Sequence, residues 1–599
     1  MIFFLINYSI IPLIILGYGY LSQKILLDEK SQLTDIGLIG IFGFLFIYFI
    51  SNILHLFTNI DNIIITITTF IGLLSFIYFF LIKKIKRKKL ILVIIVSIIF
   101  LPLSIISETN EDFFLYYFPY LKYLESSKII FGLTNLNDFL AYSTNSIYDI
   151  VILLQFSLLK NNSYAVPILY FYIFFIVFLI NRIIKNNDIF YVLILSLSII
   201  SFSKLRDFGT SIPPQLLLIL IGCIIYEIIH NKCSEKKITA VLFLTIFAII
   251  LRFNSIIILP IFILFFLKNI NKLVYYIIKN KLIVLYFLII LILFIGKNFI
   301  QSGCLIYPAP QTCVNNLDWS SNIEIVEKKY NKLQSDSKGW PFYAKEKFKI
   351  KKKFIWKNLV SDNFIGYNEY ARLQPTFWFQ YWIKDPNYKK IINLAAISLI
   401  IYILSIVNLR SKQIITTDKN KISLNLLLFS FFSILMWFYL SPQLRYGGYF
   451  CFIYFFSLTF KYFFNKKIRT LKKVNIILIL IISLTYVQGK NFNRIKDDIK
   501  EQNFINFPWP NYISLNYKED YVSEKNNNFV YNKRIYSKKL IFDNTDQYIL
   551  MCGNINFPCI SEGKEICLGN KEVRNTYSFF INRNNNLDCA KFMNNNILY

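Results

Sequence analysis

IGLIGIFGFLFIYFISNILHLFTNIDNIIITITTFIGLLSFIYFFLIKKIKRKKLILVIIVSIIFLPLSII, residues 36–106, holds three apolar runs, at 36–56, 62–82 and 90–106. One short polar turn and one basic tract separate them. A helix needs roughly 20 apolar residues to cross a bilayer. These runs are apolar all round rather than striped, which suits lipid and a bundle interior. Working outward, the same pattern recurs at 1–22, 164–181, 189–203, 213–231, 238–252, 255–267, 280–296, 391–408, 423–440, 447–464 and 474–488. The chain therefore reads as an all-α polytopic membrane protein with about fourteen transmembrane helices. The pair 238–252 and 255–267 is short enough to read as one hairpin that stops short of a full crossing. The first run lacks a basic n-region and exceeds a signal h-region in length, so a retained helix is expected.

Composition agrees. Of 599 residues, 55% are hydrophobic, 18% aromatic and only 17% charged, which excludes disordered, fibrous and cytosolic classes. The formal net charge of +30 would suggest nucleic acid on a soluble protein. Here the basic residues gather in short tracts between apolar runs, which is how membrane orientation is written. No nucleic-acid partner is expected. The tracts are Lys83–Lys89, Arg182 and Lys185, Lys232 to Lys237, Lys268 and Lys272, Arg410 to Lys419, and Lys466 to Lys473. With fourteen helices all of them fall on one side, the cytoplasm. The N-terminus and segments 104–163, 204–212, 297–390, 441–446 and 489–599 fall outside. Segment 297–390 is also Lys-rich, but long loops translocate largely regardless of charge.

Two parts follow: a membrane module over 1–488 and a small exoplasmic tail over 489–599, read as an α/β or loop-rich cap. Six of the nine cysteines lie outside: Cys304 and Cys313 in one loop, and Cys552, Cys559, Cys567 and Cys589 in the tail. In an oxidising compartment they can form three disulfides, and the four tail cysteines leave three pairings open. Zinc is a poor reading, because the tail has no C-x-x-C and no His.

The densest chemistry lies just after the fourth run. Between 104 and 149 stand Glu108, Glu111, Asp112, Glu125, Asp138 and Asp149, against Lys122 and Lys128. Carboxylates at a membrane surface can act as a general base or hold a divalent cation. Charges that solubilise a loop and cap a helix would give the same pattern. Phe113 to Leu124, with Tyr116, Tyr117, Tyr120 and Tyr123, reads as an interfacial helix with its Tyr at headgroup level. Arg445, in the turn Ser441-Pro442-Gln443-Leu444-Arg445-Tyr446-Gly447-Gly448, runs against the positive-inside trend and suits a phosphate, though a snorkelling Arg looks the same. Arg206 beside Asp207, and Arg252 near Asn254, are further basic groups at outside helix ends. Trp378, within QPTFWFQYWI, is a candidate for an acceptor groove or for plain membrane anchoring. Glu227 and His230 read as a local pair. No nucleotide-binding or hydrolase motif is present.

A long first outside segment with acids just after a helix resembles the GT-C superfamily of membrane glycosyltransferases. More narrowly, the chain resembles a bacterial family of multi-pass membrane proteins named after a Leptospira member. That family has an acid, Tyr-His four residues on, and a Gly-Leu-x-Asn-Leu-His stretch. Here Asp112 is followed by Tyr116-Tyr117 and Gly132-Leu133-Thr134-Asn135-Leu136-Asn137, with Tyr117 and Asn137 standing where the family has His. The stretch from Ser302 to Pro308, the turn 441–445 and Cys552 to Cys559 are also similar. The resemblance implies a bacterial inner-membrane enzyme using a polyprenyl-phosphate sugar donor and an exoplasmic acceptor of unknown kind. Asp112 would be the catalytic base or metal ligand, with Glu111 and Glu108 as alternatives. Arg445, Arg206 and Arg252 would bind the lipid phosphate, with Tyr116, Tyr117, Asn135, Asn137 and Trp378 around them. A divalent cation is an optional cofactor. The alternatives are a transporter or flippase of lipid-linked sugars, expected to carry midplane charges and a repeat, or an O-antigen-polymerase-like enzyme, expected to carry paired Arg in two outside loops.

Overall fold

The computed structural model describes residues 2–29, 31–82, 84–106, 116–155, 164–205, 210–230, 233–347, 365–406, 418–465 and 473–500. Beyond these it describes the short strand segments 504–506, 509–510, 518–520, 538–541 and 548–551.

Up to Lys500 the described regular elements are helical, and each of the fourteen apolar runs is a helix. Among the described residues, nine helices are long and apolar enough to cross a membrane. The packing explains how an apolar sequence sorts itself without water. The helices Ile36–Phe57, Ala165–Asn186 and Ile212–His230 are buried on nearly all sides and form the centre. The helix Asn62–Leu81 keeps Ile67, Phe70, Leu74 and Leu81 exposed, and Lys281–Ser302 keeps Leu285, Leu288 and Ile292 exposed. Such apolar outer faces require hydrocarbon around them. The first two helices approach closely through glycine, since a Cβ on Gly43 would overlap the Ile15 carbonyl oxygen. Small residues at close crossings are the usual device where lipid supplies no hydrophobic drive.

The bundle has two chemically distinct ends. At one end, Asp35 binds Arg182 at 3.1 Å, and Glu227 binds both Arg182 and, at 3.5 Å, Lys237. There too Asp188 binds Lys461 at 2.8 Å and Glu235 binds Lys279 at 3.0 Å. Glu227 thus serves Arg182 and Lys237, while the His230 ring packs on Tyr226 at 4.4 Å. At the opposite end, short helices of residues 116–155 and of the segment after Ser302 cover the bundle.

Several boundaries differ from expectation. Leu259–Lys279 is a full-length helix, kinked at Asn269, so Lys268 and Lys272 lie within it and the short-hairpin reading fails. Lys281–Ser302 runs six residues past 296, which places Lys297 inside it. The last helix, Lys473–Lys500, continues beyond 488. Tyr120 and Tyr123, expected at headgroup level, are fully buried, because the helix Phe118–Ser126 packs under the bundle cap and not at its rim. Beyond Lys500 two antiparallel sheets occur: 504–506 with 509–510, and 518–520 with 538–541 and 548–551.

Candidate functional site

The helix Glu235–Leu251 ends at Arg252, and a 3-10 turn, Phe253–Ile258, follows it. This break turns the chain and aims the Arg252 guanidinium at the 441–448 segment. There Arg252 Nη1 donates to the Arg445 carbonyl at 2.6 Å, and Asn254 donates to the Ser441 hydroxyl at 3.2 Å. Gln215 ties in a third helix: its amide donates to the Arg445 carbonyl at 3.5 Å and accepts from the Tyr449 amide at 3.1 Å. The turn itself needs Gly447, whose φ of +104° disfavours any side chain. Trp437 donates to the Gln443 carbonyl at 2.9 Å and Trp382 to the Pro442 carbonyl at 2.5 Å, so the turn is held from both sides.

Both arginines flank the Tyr446 ring, Arg252 at 5.2 Å and Arg445 at 4.9 Å from its centroid. Arg445 is exposed, with Nε donating to Gln443 at 2.8 Å. Arg252 is only 8% exposed. Among the described residues it has no carboxylate partner. Burial pushes Arg252 below its usual value; Arg445 adds to that push, and Tyr446, Tyr117 and Tyr116 oppose it. Tyr116 and Tyr117 therefore lie within electrostatic reach of Arg252. Tyr117 shares a hydrogen bond with Thr210 at 3.0 Å and packs on Tyr148 at 5.2 Å, and Tyr116 stacks on Phe139 at 5.1 Å.

Of the expected site residues, Arg252 and Arg445 thus meet, with Tyr116 and Tyr117 within electrostatic reach, although they are spread over 330 positions of sequence. Others take different places. Asn135 donates to the Trp319 carbonyl at 3.0 Å, and Asn137 caps the turn Asp138–Ala141 by accepting from Phe139 at 3.0 Å. Asn137 thereby holds the backbone of Phe139, on which Tyr116 stacks. Trp378 is 1% exposed, against Phe438 at 5.1 Å, so it packs the loop onto the bundle and lines no open groove. Glu108, Glu111, Asp112 and Arg206 lie outside the described residues, as do Cys552, Cys559, Cys567 and Cys589. The acids are contiguous with Tyr116 in sequence, only four positions ahead at Asp112. Cys304 and Cys313 form a disulfide. Among the described residues no group of three or more His, Cys, Asp or Glu is placed to hold a metal ion. The divalent-cation expectation rests on the acids before Tyr116.

Two features escaped the sequence reading. Asp336 lies within electrostatic reach of Arg445: its backbone carbonyl accepts from Gln443 at 3.2 Å, and Lys332 and Arg445 act on its carboxyl. Burial raises that carboxyl above its ordinary value, with Lys332 and Arg445 opposing. The second is a buried ion pair beneath the tyrosines. Lys297 binds Asp149 at 2.6 Å and Asn52 at 3.1 Å, and Tyr120 donates to Asp149 at 2.9 Å. The intramembrane lysine was the available signal; a helix end placed at 296 hid it.

A family model described as a domain of unknown function (DUF8201) matches residues 1–452. The chain belongs to this family. The DUF8201 match takes in every element that forms the arginine cluster, from Tyr116 to Tyr449, and stops before the last helix and the tail. No curated protein and no solved structure matches the sequence.

Proposed function

We propose that this protein is a GT-C-type membrane glycosyltransferase that takes its sugar from a polyprenyl-phosphate donor on the exoplasmic side. One observation carries the reading: among the described residues Arg252 is buried without a carboxylate partner, next to a second guanidinium and within electrostatic reach of Tyr446, Tyr117 and Tyr116. A buried unpaired cation is costly. An anionic ligand relieves that cost, and guanidinium pairs match phosphate oxygens. When a sugar leaves a lipid phosphate, negative charge develops on that phosphate, and fixed cations there stabilise the transition state. Asp112, with Glu111 or Glu108 as alternatives, takes the acceptor proton as general base or holds a divalent cation. Asp336, with its raised carboxyl, is a second proton-handling group in reach of the same turn.

In this reading all fourteen helices span the bacterial inner membrane and the basic end faces the cytoplasm. The chain beyond the last helix is a periplasmic cap with further disulfides among the four tail cysteines. The transporter alternative is less well supported. Lys297 sits five residues from the end of its helix, about 8 Å along the axis, whereas translocation pathways place such charges near the midplane. The test is transfer from a labelled polyprenyl-phosphate sugar in membranes containing the chain. Arg252→Gln and Asp112→Asn should each lower transfer at least 100-fold while the protein stays folded. Undiminished transfer in Arg252→Gln would sink the assignment.

A further inference from the structure

A second polar concavity lies at the basic end, remote from the arginine cluster and independent of its interpretation. It is a cavity of about 250 Å³ between the ends of the helices Ile2–Leu26, Ile36–Phe57, Asn62–Leu81 and Arg87–Phe100. Five lysines line it, Lys24, Lys84, Lys86, Lys89 and Lys236, against one acid, Glu29. We infer that it is a binding site for a phosphate group, carried by an anionic phospholipid or by a free phosphate species.

The charge balance argues for an absent anion. Every carboxylate in the ion pairs of this end is engaged by a cation outside the cavity: Asp35 by Arg182, Glu227 by Arg182 and Lys237, Asp188 by Lys461, and Glu235 by Lys279. Asp35 also acts electrostatically on Lys89. Among the described residues none of the five lining lysines makes an ion pair. Five ammonium groups around one concavity repel one another, and a ligand carrying one or two negative charges is the simplest relief.

The cavity is also built, not a chance meeting of flexible chains. Gln23 holds its floor by accepting from the Leu33 amide at 2.6 Å and donating to the Gly19 carbonyl at 3.2 Å. Lys89 is fixed by its hydrogen bond to the Thr34 carbonyl, and Lys24 by Tyr78, whose hydroxyl lies 3.3 Å away. Its volume suits a headgroup rather than a larger metabolite. The exposed apolar face of Asn62–Leu81, with Phe70, Leu74 and Leu81, runs from the cavity rim along the bundle, where acyl chains would lie. Basic pockets between helix ends on the cytoplasmic side are a recurrent form of anionic-lipid site.

The test uses the full chain, purified and delipidated in neutral detergent. Phosphatidylglycerol and phosphatidylcholine are titrated and bound lipid is counted by native mass spectrometry, and inorganic phosphate is titrated by thermal shift. The variant Lys84→Gln/Lys86→Gln/Lys236→Gln removes three exposed or half-buried charges and leaves the fixed Lys24 and Lys89 in place. Lys389→Gln/Lys390→Gln, at the start of a helix on the opposite end, controls for lost charge. The expected result is retention of phosphatidylglycerol over phosphatidylcholine, weakened at least tenfold in the triple variant and unchanged in the control. Stabilisation by inorganic phosphate alone, lost in the triple variant, supports the site and identifies its source as soluble. Binding of neither probe, or equal loss in the control, overturns it.

Discussion

Replacing Lys297 by Met should destabilise the protein far more than its position near a helix end suggests. Lys297 Nζ lies 2.6 Å from Asp149, and at an effective dielectric of about 20 that separation is worth roughly 6 kcal/mol of attraction. Desolvating the two ions costs several kcal/mol each, so the intact pair nets close to zero. Removing one partner is different, because it leaves Asp149, 1% exposed, with hydrogen bonds from the neutral Tyr120 and Asn52 and no cation among the described residues. Breaking a buried pair in this way costs about 3–5 kcal/mol. Lys297→Met and Asp149→Leu should each fall in that range. The double variant, which leaves no buried charge, should lie within about 1 kcal/mol of the parent. The assay is a double-mutant cycle on unfolding of the full chain in detergent, followed by tryptophan fluorescence. Additive losses would refute the reasoning, for they would mean that the two groups are solvated separately and that the pair is not buried in any energetic sense.

Gly43→Leu should abolish folded yield, because the side chain would meet the Ile15 carbonyl. Gly489→Ala, with nothing within 4 Å of its Cβ in the helix Lys473–Lys500, should be neutral or stabilising by up to about 1 kcal/mol; thermal melts in detergent check both. Asp336 gives a pH effect. Burial raises its folded pKa above the unfolded one, so the folded state holds the extra proton and stability falls as pH rises from the ordinary carboxylate value through the raised one. Asp336→Asn should flatten that part of the stability–pH curve, and an unchanged slope would count against the burial. Opening the Cys304–Cys313 bridge, with a sequence separation of 9, should cost roughly 2–3 kcal/mol on the loop-closure argument. Alkylation mapping of the native, unreduced chain should label Cys233 before either.

The helices were legible because apolar length is a local property. Residues 36–57 or 212–230 need no partner to be recognised as helical, and the basic tracts announce which ends belong together. Helix ends were less legible, since they depend on what covers them. The Lys281–Ser302 helix continues through Lys297 because Asp149 neutralises it there and Asn52 accepts a further hydrogen bond from it. From sequence alone a lysine after an apolar run reads as the membrane surface. Asp149 misled in the same way: counted with the exoplasmic acids, it is buried in the helix Ser146–Leu153. Of the site, Arg252 and Arg445 could be singled out because each breaks the positive-inside pattern. Gln215 and Asp336 break no pattern, and only the tertiary fold brings them to the same turn.

The two ends of the bundle treat charge in opposite ways, and the contrast bears on where ligands bind. At the basic end, carboxylates outside the cavity are saturated by Arg182, Lys237, Lys279 and Lys461, which leaves the lysine-lined cavity as the place of excess. At the other end, Asp149 and Asp138 are each matched by one lysine, at 2.6 and 3.0 Å. The first pair ties the short helices of residues 116–155 to the bundle helix Lys281–Ser302, and the second ties them to the helix Ile323–Ser337 of the segment after Ser302. They also leave Arg252 as the buried cation without a carboxylate among the described residues of that end. Among the described residues Arg252 instead donates to the Arg445 carbonyl and shares the Tyr446 face with Arg445, so it is held in place with no carboxylate on it, which is the observation behind the proposed anion site.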